Sequence, residues 1–422
     1  MLDTEILHTV EDIPSAEWNE LTREEDIDSA RGFLRFREYL EPGDGVLVAA
    51  RRAGRLVGAL RGVVAVPHSG LSSDPWKFVT SDAVLRLGEG PQEDPVSAAA
   101  LRGLRDELVL GTAARTAAPG TTGTGAPLWQ ALTRQAGPCL VVREFDRSEV
   151  LADPGLDPAQ RELVVAHLVR QAQISAAGHG AGAVAFPYVS PSDTVLRRVL
   201  AECGFRGGAL TGASWIRTGG FTTYEEYLES LPSRRRRRYR QEEEQLRASG
   251  LAAGEVGLRE NAGRIAVLEA NTLVKHGGKP DAEAIRQARV ALAGMLPEAV
   301  RIPAVRRDDG EIIACAMHLL GRKSVVFMTY GCDYSVEDRA GAYPWAAFYH
   351  PVRTAVESGV PAVRLGLEGF EAKARRGAVV EARELWVWTP DRGLRGRLGE
   401  LLDLVGGRNT AHLGRFAAHG TG

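Results

Sequence analysis

The chain has 422 residues, of which 44% are hydrophobic and 25% charged, with a net charge of −2 at pH 7. The length exceeds one ordinary domain, and the composition is that of a globular protein rather than a disordered or fibrous one. The charge balance excludes a globally basic nucleic-acid binder, so any polyanion must be held by a local patch; no run of about eighteen apolar residues occurs, which argues against a transmembrane helix.

The first segment, MLDTEILHTVEDIPSAEW, is acidic and lacks the apolar stretch of a secretory signal, so a cytoplasmic location is expected. Cys139, Cys203, Cys315 and Cys332 are far apart with no CxxC spacing, which speaks against a disulfide framework or a structural zinc site. Only five lysines occur (Lys77, Lys275, Lys279, Lys323 and Lys373), the other cations being arginines. Arginine runs are therefore less informative in this chain, and each lysine more so.

In chain order, residues 12–40 read as short helices around Trp18 and Phe33–Tyr39. The apolar runs 45–50 and 55–66 flank Arg51-Arg52-Ala53-Gly54, a hairpin signal. Glu107–Gly111 reads as a short strand, 112–126 as a Gly/Thr/Ala loop, 128–135 as a helix and 140–145 as a strand. A helix with Leu163, Val164, His167, Leu168 and Ala172 on one face is expected over 158–177. A strand at 183–188, a helix at 193–203 and a strand at 213–217 follow. The second half gives helices at 224–231, 233–248, 260–275 and 281–296. A hairpin 302–307/312–320 turns at Asp308-Asp309-Gly310, and a strand follows at 324–330. A helix at 344–358, strands at 362–366 and 385–388, and a helical tail at 394–404 complete the chain. Each half thus reads as hairpin, strand, loop, helix and strand.

Five consecutive arginines, Arg234 to Arg238, followed by Arg240, open the predicted 233–248 helix, with Ser233 as its N-cap. That is the wrong end for cations, because a helix N-terminus carries partial positive charge. The pairs Arg238–Glu242 and Arg240–Glu244 are spaced i,i+4 but in the weaker order, cation first. Arg234, Arg237 and Arg238 share a face with Gln241. Helix stability does not select this pattern, whereas guanidinium groups bind phosphate bidentately. A solvated connector helix is the alternative. The Gly/Thr stretch 119–125 invites a phosphate-cradle reading, but it lacks an arginine in the register of acyl-CoA loops, and its low complexity suits a plain loop.

Several segments resemble one family, the Fem-like tandem-GNAT proteins of peptidoglycan biosynthesis or recognition. They are Ile13–Asn19, then Ala183–Tyr188 with Asp193–Phe205 and Trp215, then Tyr227–Leu246, and finally Tyr330–Tyr334 with 348–359 and Gly366–Gly377. The resemblance implies an α/β fold with α+β mixed sheets in two tandem GNAT-like domains. The bounds expected are 1–217 for the first, 218–250 for a basic helical connector, and 251–422 for a second domain carrying the transfer site. It implies an enzyme that makes an amide by acyl transfer. Aminoacyl-tRNA is the favoured donor, and the acceptor is an amine on a cell-wall precursor or a peptide-like natural product. An acyl-CoA or carrier-dependent N-acyltransferase, and a non-catalytic recognition module, are the alternatives. No metal or redox cofactor is implied.

In such relatives a lysine in the region of Lys373 lies at the transfer site, where it can bind an anion or stabilise an oxyanion. The family's preceding histidine is replaced here by Ala372. Tyr330, Asp333 and Tyr334 end a strand near the point where a GNAT sheet splays. Asp333 is a candidate to orient or deprotonate the amine, or it is ordinary turn chemistry. Glu368 and Glu371 are candidates to pair with Lys373 or to act as base, against the alternative of solvated loop carboxylates. Arg234, Arg235, Arg237, Arg238 and Arg240 are the candidate phosphate or tRNA contacts. His318 reads as a packed histidine and His350 as a candidate base. The Arg339-Ala340-Gly341-Ala342 stretch is an abbreviated acyl-CoA loop.

Overall fold

Alternation of apolar residues and β-branched runs dictates the strands, and the long 3.6-period stretches dictate the helices. A computed structural model describes residues 2–41, 45–66, 74–81, 84, 95–110, 128–336 and 341–417. Its strands are β1 (Asp3–Leu7), β2 (Gly45–Arg52), β3 (Arg55–Val64), β4 (Cys139–Val141), β5 (Leu151–Ala152), β6 (Ala183–Val189) and β7 (Arg206–Arg217). They continue with β8 (Ala252–Glu255), β9 (Val300–Arg301), β10 (Pro303–Arg306), β11 (Ile312–Leu320), β12 (Val325–Cys332), β13 (Ala362–Leu367) and β14 (Val379–Trp388). Glu107–Leu110, read from sequence as the start of a strand, ends the helix Pro95–Leu110 instead. Its apolar run is too short to tell the two apart without the preceding turns. The Gly/Thr stretch 119–125, Arg339 and Ala340 lie outside the described residues.

Two units divide the chain. One comprises Met1–Glu24, Glu41–Gly212 and Ala382–Gly414; the other comprises Glu25–Leu40, Ala213–Glu381 and Arg415–Gly422. This amends the linear bounds 1–217, 218–250 and 251–422. The arginine helix, Ser233–Ala248, is part of the second unit and not a separate connector. The class is the expected mixed α/β one. In the first, strands run β1-β2-β3-β4-β6-β14, antiparallel except for the parallel pair β4–β6. The helix Pro158–Gly178 packs its buried face (Val164, Val165, Leu168, Val169, Ala172) into the core that β2, β3 and β6 provide. In the second, strands run β7-β13-β12-β11-β10-β8, with β12–β13 as the parallel pair. Among the described residues no helix is long and apolar enough to cross a membrane.

Glu25–Leu40 joins the second unit for a physical reason. Asp28 and Arg364 are both fully buried and form an ion pair. Asp26 accepts hydrogen bonds from the Lys323 backbone N–H at 3.1 Å and from the Ser324 hydroxyl. Gly32 is required in the helix Arg31–Leu40, because a Cβ there would fall 2.5 Å from the Met295 carbonyl oxygen. A buried charge left without its partner costs far more than the intact pair gains. Asp28→Ala is therefore expected to destabilise the second unit by roughly 3–5 kcal/mol, with much of the loss recovered in Asp28→Ala/Arg364→Met. Urea unfolding followed by circular dichroism measures both; equal losses in the single and double variants contradict the pairing.

Two histidines frame the π-helical turn Trp345–Tyr349 of the second unit. His318 is fully buried and donates from Nε2 to the Ala346 carbonyl at 2.9 Å; its Nδ1 has no partner. Burial pushes its pKa down to about 3. His350 lies 3.3 Å from Glu255, yet burial, Arg353 and Arg301 outweigh that carboxylate and push it down to about 4. Both are neutral when folded and free to charge when unfolded. The unfolded chain thus binds the extra protons, and stability falls as pH drops from about 6.5 toward 4 and below. His318→Gln and His350→Gln should each flatten the stability profile over pH 4–6.5; an unaltered slope in both contradicts the assignment.

Candidate functional site

β12 and β13 pair in parallel only at Val325↔Val363 and Val326↔Arg364. Beyond those rungs β12 stays bonded to β11 as far as Cys332, while β13 bends away at a bulge between Arg364 and Gly366. The sheet therefore opens. The burial along β12 records it: Phe327 to Tyr330 are only partly buried, between fully buried residues at both ends of the strand. Among the described residues no strand pairs with this edge of β12 beyond Val326, which leaves it as an unpaired strand edge that a ligand can meet.

β13 ends in a tightly wound loop. Gly366, Glu368 and Gly369 have φ of 72°, 59° and 61°. Glycine adopts this left-handed region readily, but for Glu368 it costs about 1–2 kcal/mol. The loop is held by Lys373, on the short helix Phe370–Ala374, whose Nζ donates to the carbonyls of Leu367 at 2.8 Å and Gly366 at 3.2 Å. Glu368 and Glu371 are exposed, and Glu371 pairs with Arg375 rather than with Lys373.

Arg376, three residues on, ties this loop to the arginine helix. Its guanidinium donates to both oxygens of Glu242 at 3.1 and 3.2 Å and lies 4.9 Å from the Phe348 ring centroid. Its carbonyl accepts from the buried Tyr239 hydroxyl at 2.9 Å. The Tyr349 hydroxyl also donates to Glu242, and the Tyr239 and Tyr349 rings are 4.0 Å apart. Glu242 is thus the partner of Arg376, 134 positions away, and not of Arg238 as its spacing suggests. Ser233 is the first helical residue, with the extended Pro232 as N-cap and no capping side chain.

With one face of the helix locked by Tyr239, Glu242 and Leu246, the arginines separate into two groups. Arg236 donates to the Glu229 carbonyl at 3.0 Å, and Arg235 lies across Gly377. Arg234, Arg237, Arg238 and Arg240 make no ion pair or side-chain hydrogen bond among the described residues; Arg234, Arg237 and Arg240 are exposed. These four can meet an anion without breaking any contact of the fold.

Tyr330 packs edge-on against Tyr343 at 4.8 Å, and Tyr343 against Phe348 at 5.5 Å, so the β12 side of the opening reaches Arg376 through one aromatic chain. Burial raises the Tyr330 pKa strongly, which keeps its hydroxyl protonated as a donor. Asp333 and Tyr334 turn toward the helix Leu258–Lys275 instead. Asp333 accepts from the Ser335 hydroxyl (2.6 Å) and N–H (3.0 Å), and from Arg264 at 3.1 Å. The Ser335 hydroxyl first, and Arg264 further on, hold its pKa below the ordinary carboxylate value, which makes it a poorer base. Lys275 Nζ sits 4.1 Å from the Tyr334 ring centroid, and Thr272 reaches its hydroxyl at 3.3 Å. Arg376 and Tyr343 carry no signal of their own in the sequence, and Glu242 reads there as the i,i+4 partner of Arg238, because the Glu242–Arg376 contact that singles it out joins positions far apart in the chain.

A family described as peptidoglycan biosynthesis/recognition, FemAB-like, matches residues 150–413, more than half of the chain. None of the curated proteins matches it. Among solved structures, FemX is similar over 94% of this chain and 100% of its own, with a TM-score of 0.56 and 11% identity. A tandem GNAT protein from the clavulanic acid biosynthesis pathway covers 92% and 98% at a TM-score of 0.44 and 14% identity. L-PGS from Bacillus licheniformis covers 63% and 82% at 0.43 and 14%. At such identities likeness speaks for the fold alone, and of these three FemX has the TM-score that carries it. With the family match spanning residues 150–413, which take in parts of the first unit and most of the second, the chain belongs to the FemAB-like family.

Proposed function

We propose that this chain is an acyltransferase that forms an amide, passing an aminoacyl group from aminoacyl-tRNA to an amine in the opening between β12 and β13. The observation that carries the reading is the set of four uncommitted arginines on a helix whose other face is fixed to the Lys373 loop through Glu242 and Arg376. Phosphates along that face would leave the acyl ester within the same unit as the opening. Family membership supports an acyl acceptor on a cell-wall precursor; a peptide-like natural product is the second acceptor class.

In this reading the amine nitrogen attacks the ester carbonyl, the C–O bond to the ribose breaks, and the amine proton leaves with the ribose oxygen. The ester is already activated, so catalysis rests on positioning and on hydrogen-bond donors to the oxyanion, with no further cofactor. Tyr330 serves as a donor at the β12 side. Lys373 is a positioning residue that fixes the carbonyls and N–H groups of 366–369, and the Glu368 carboxylate takes the extra proton of an incoming ammonium, so that the neutral amine attacks. Asp333 and Tyr334 fix the turn that ends β12.

Two outcomes test this. With aminoacyl-tRNA as donor and an amine acceptor, Lys373→Ala should lower kcat roughly 100-fold with little change in the donor KM, as expected for lost positioning, and Lys373→Arg should restore part of it. Product from an acyl-CoA and none from aminoacyl-tRNA rejects the donor; no product with either supports a recognition role instead. Changing Arg234, Arg237, Arg238 and Arg240 to Ala should reduce the slope of log K against log salt for tRNA by roughly 0.7–0.9 per arginine. An unchanged slope in filter binding removes these arginines from the donor site.

A further inference from the structure

The first unit holds a cavity of about 480 Å³ that the proposed reaction does not use. The C-terminal helix Arg392–Ala417 buries Leu394, Leu398, Leu401, Leu402 and Val405 on one side. Its neighbouring face carries Gly399, Glu400 and Asp403, where helical spacing groups them toward the cavity. Opposite stands Trp386. A Cβ on Gly207 would fall 2.3 Å from the indole, so the ring lies flat on that backbone, and its Nε1 is fixed by donating to Glu384 at 2.8 Å. The Arg206 side chain crosses Gly399, 3.3 Å from where a Cβ would stand. Arg206, Glu400 and Asp403 make no ion pair or side-chain hydrogen bond among the described residues.

A fixed indole thus lines the same cavity as two carboxylates and one guanidinium, all three charged residues being exposed at its mouth. A plain anion is opposed by Glu400 and Asp403, and a plain amine leaves Arg206 without a counter-charge. The volume is in the range of small-molecule sites. We propose that this cavity binds a zwitterion of amino-acid to dipeptide size. Its ammonium meets Glu400 and Asp403, its carboxylate meets Arg206, and its carbon stem lies on Trp386. Aromatic faces attract both alkyl stems and adjacent cations. The proposal stands independently of the transferase reading, since it needs no turnover.

Isothermal titration of the full chain with L-alanyl-L-leucine tests it, alongside the N-acetyl and C-terminal amide forms of the same dipeptide. The free dipeptide should bind saturably. N-acetylation, or Glu400→Gln/Asp403→Asn, should weaken binding about tenfold or more, and so should amidation or Arg206→Gln, each removing a charge-assisted contact. Gly396→Phe, at a helical position where a Cβ meets nothing within 4 Å, should occlude the cavity while the circular dichroism stays unchanged. No saturable binding at millimolar dipeptide, or equal binding of all three forms, overturns the proposal. Undiminished binding in Gly396→Phe also overturns it.

Discussion

The Glu242 carboxylate is the constraint on which the site depends. It accepts from Arg376 and Tyr349 at once, and Tyr239 closes the same joint through the Arg376 carbonyl. An arginine helix with this much positive charge at its N-terminal end has little reason to hold a fixed rotation on its own. Anchoring through Glu242, one buried tyrosine and Leu246 sets that rotation. The exposed arginines then follow from geometry, since residues on the opposite face of an anchored helix have only solvent to meet.

The same joint fixes the loop after β13. Lys373 spends hydrogen bonds on the Gly366 and Leu367 carbonyls, and Arg376 holds the end of the short helix that carries Lys373. A left-handed glutamate beside two left-handed glycines is a conformation that survives only where the surroundings over-determine it. The opening between β12 and β13 therefore has one wall set by an unpaired strand edge and another set by a clamped loop. Preorganisation of that kind is what a reaction relying on positioning requires.

Much of this architecture was legible in the sequence. The helix over 233–248, the hairpin over 302–320, the strand before Tyr330 and the strand before Gly366 all follow from local periodicity and turn residues. The resemblance carried by Tyr330–Tyr334 and Gly366–Gly377 pointed to the family that the match over 150–413 shows. What stayed hidden was non-local. Asp28 meets Arg364 across 336 positions, so residues 25–40 join the second unit although nothing in their own composition says so. Glu242 looked like a helix-local partner because i,i+4 spacing is visible in sequence and a contact with Arg376 is not. Asp333 showed both readings from the start, and its Ser335 and Arg264 contacts favour the turn.

Hydrogen–deuterium exchange of the full chain with a hydrolysis-resistant aminoacyl-tRNA analogue tests the central claim most directly. That claim is that the arginine helix and the Lys373 loop form one donor site. Protection should appear in two peptides together, 233–248 and 366–377, and both should lose it when Glu242 is changed to Gln. Protection confined elsewhere, or the same pattern produced by a coenzyme A thioester alone, would contradict it.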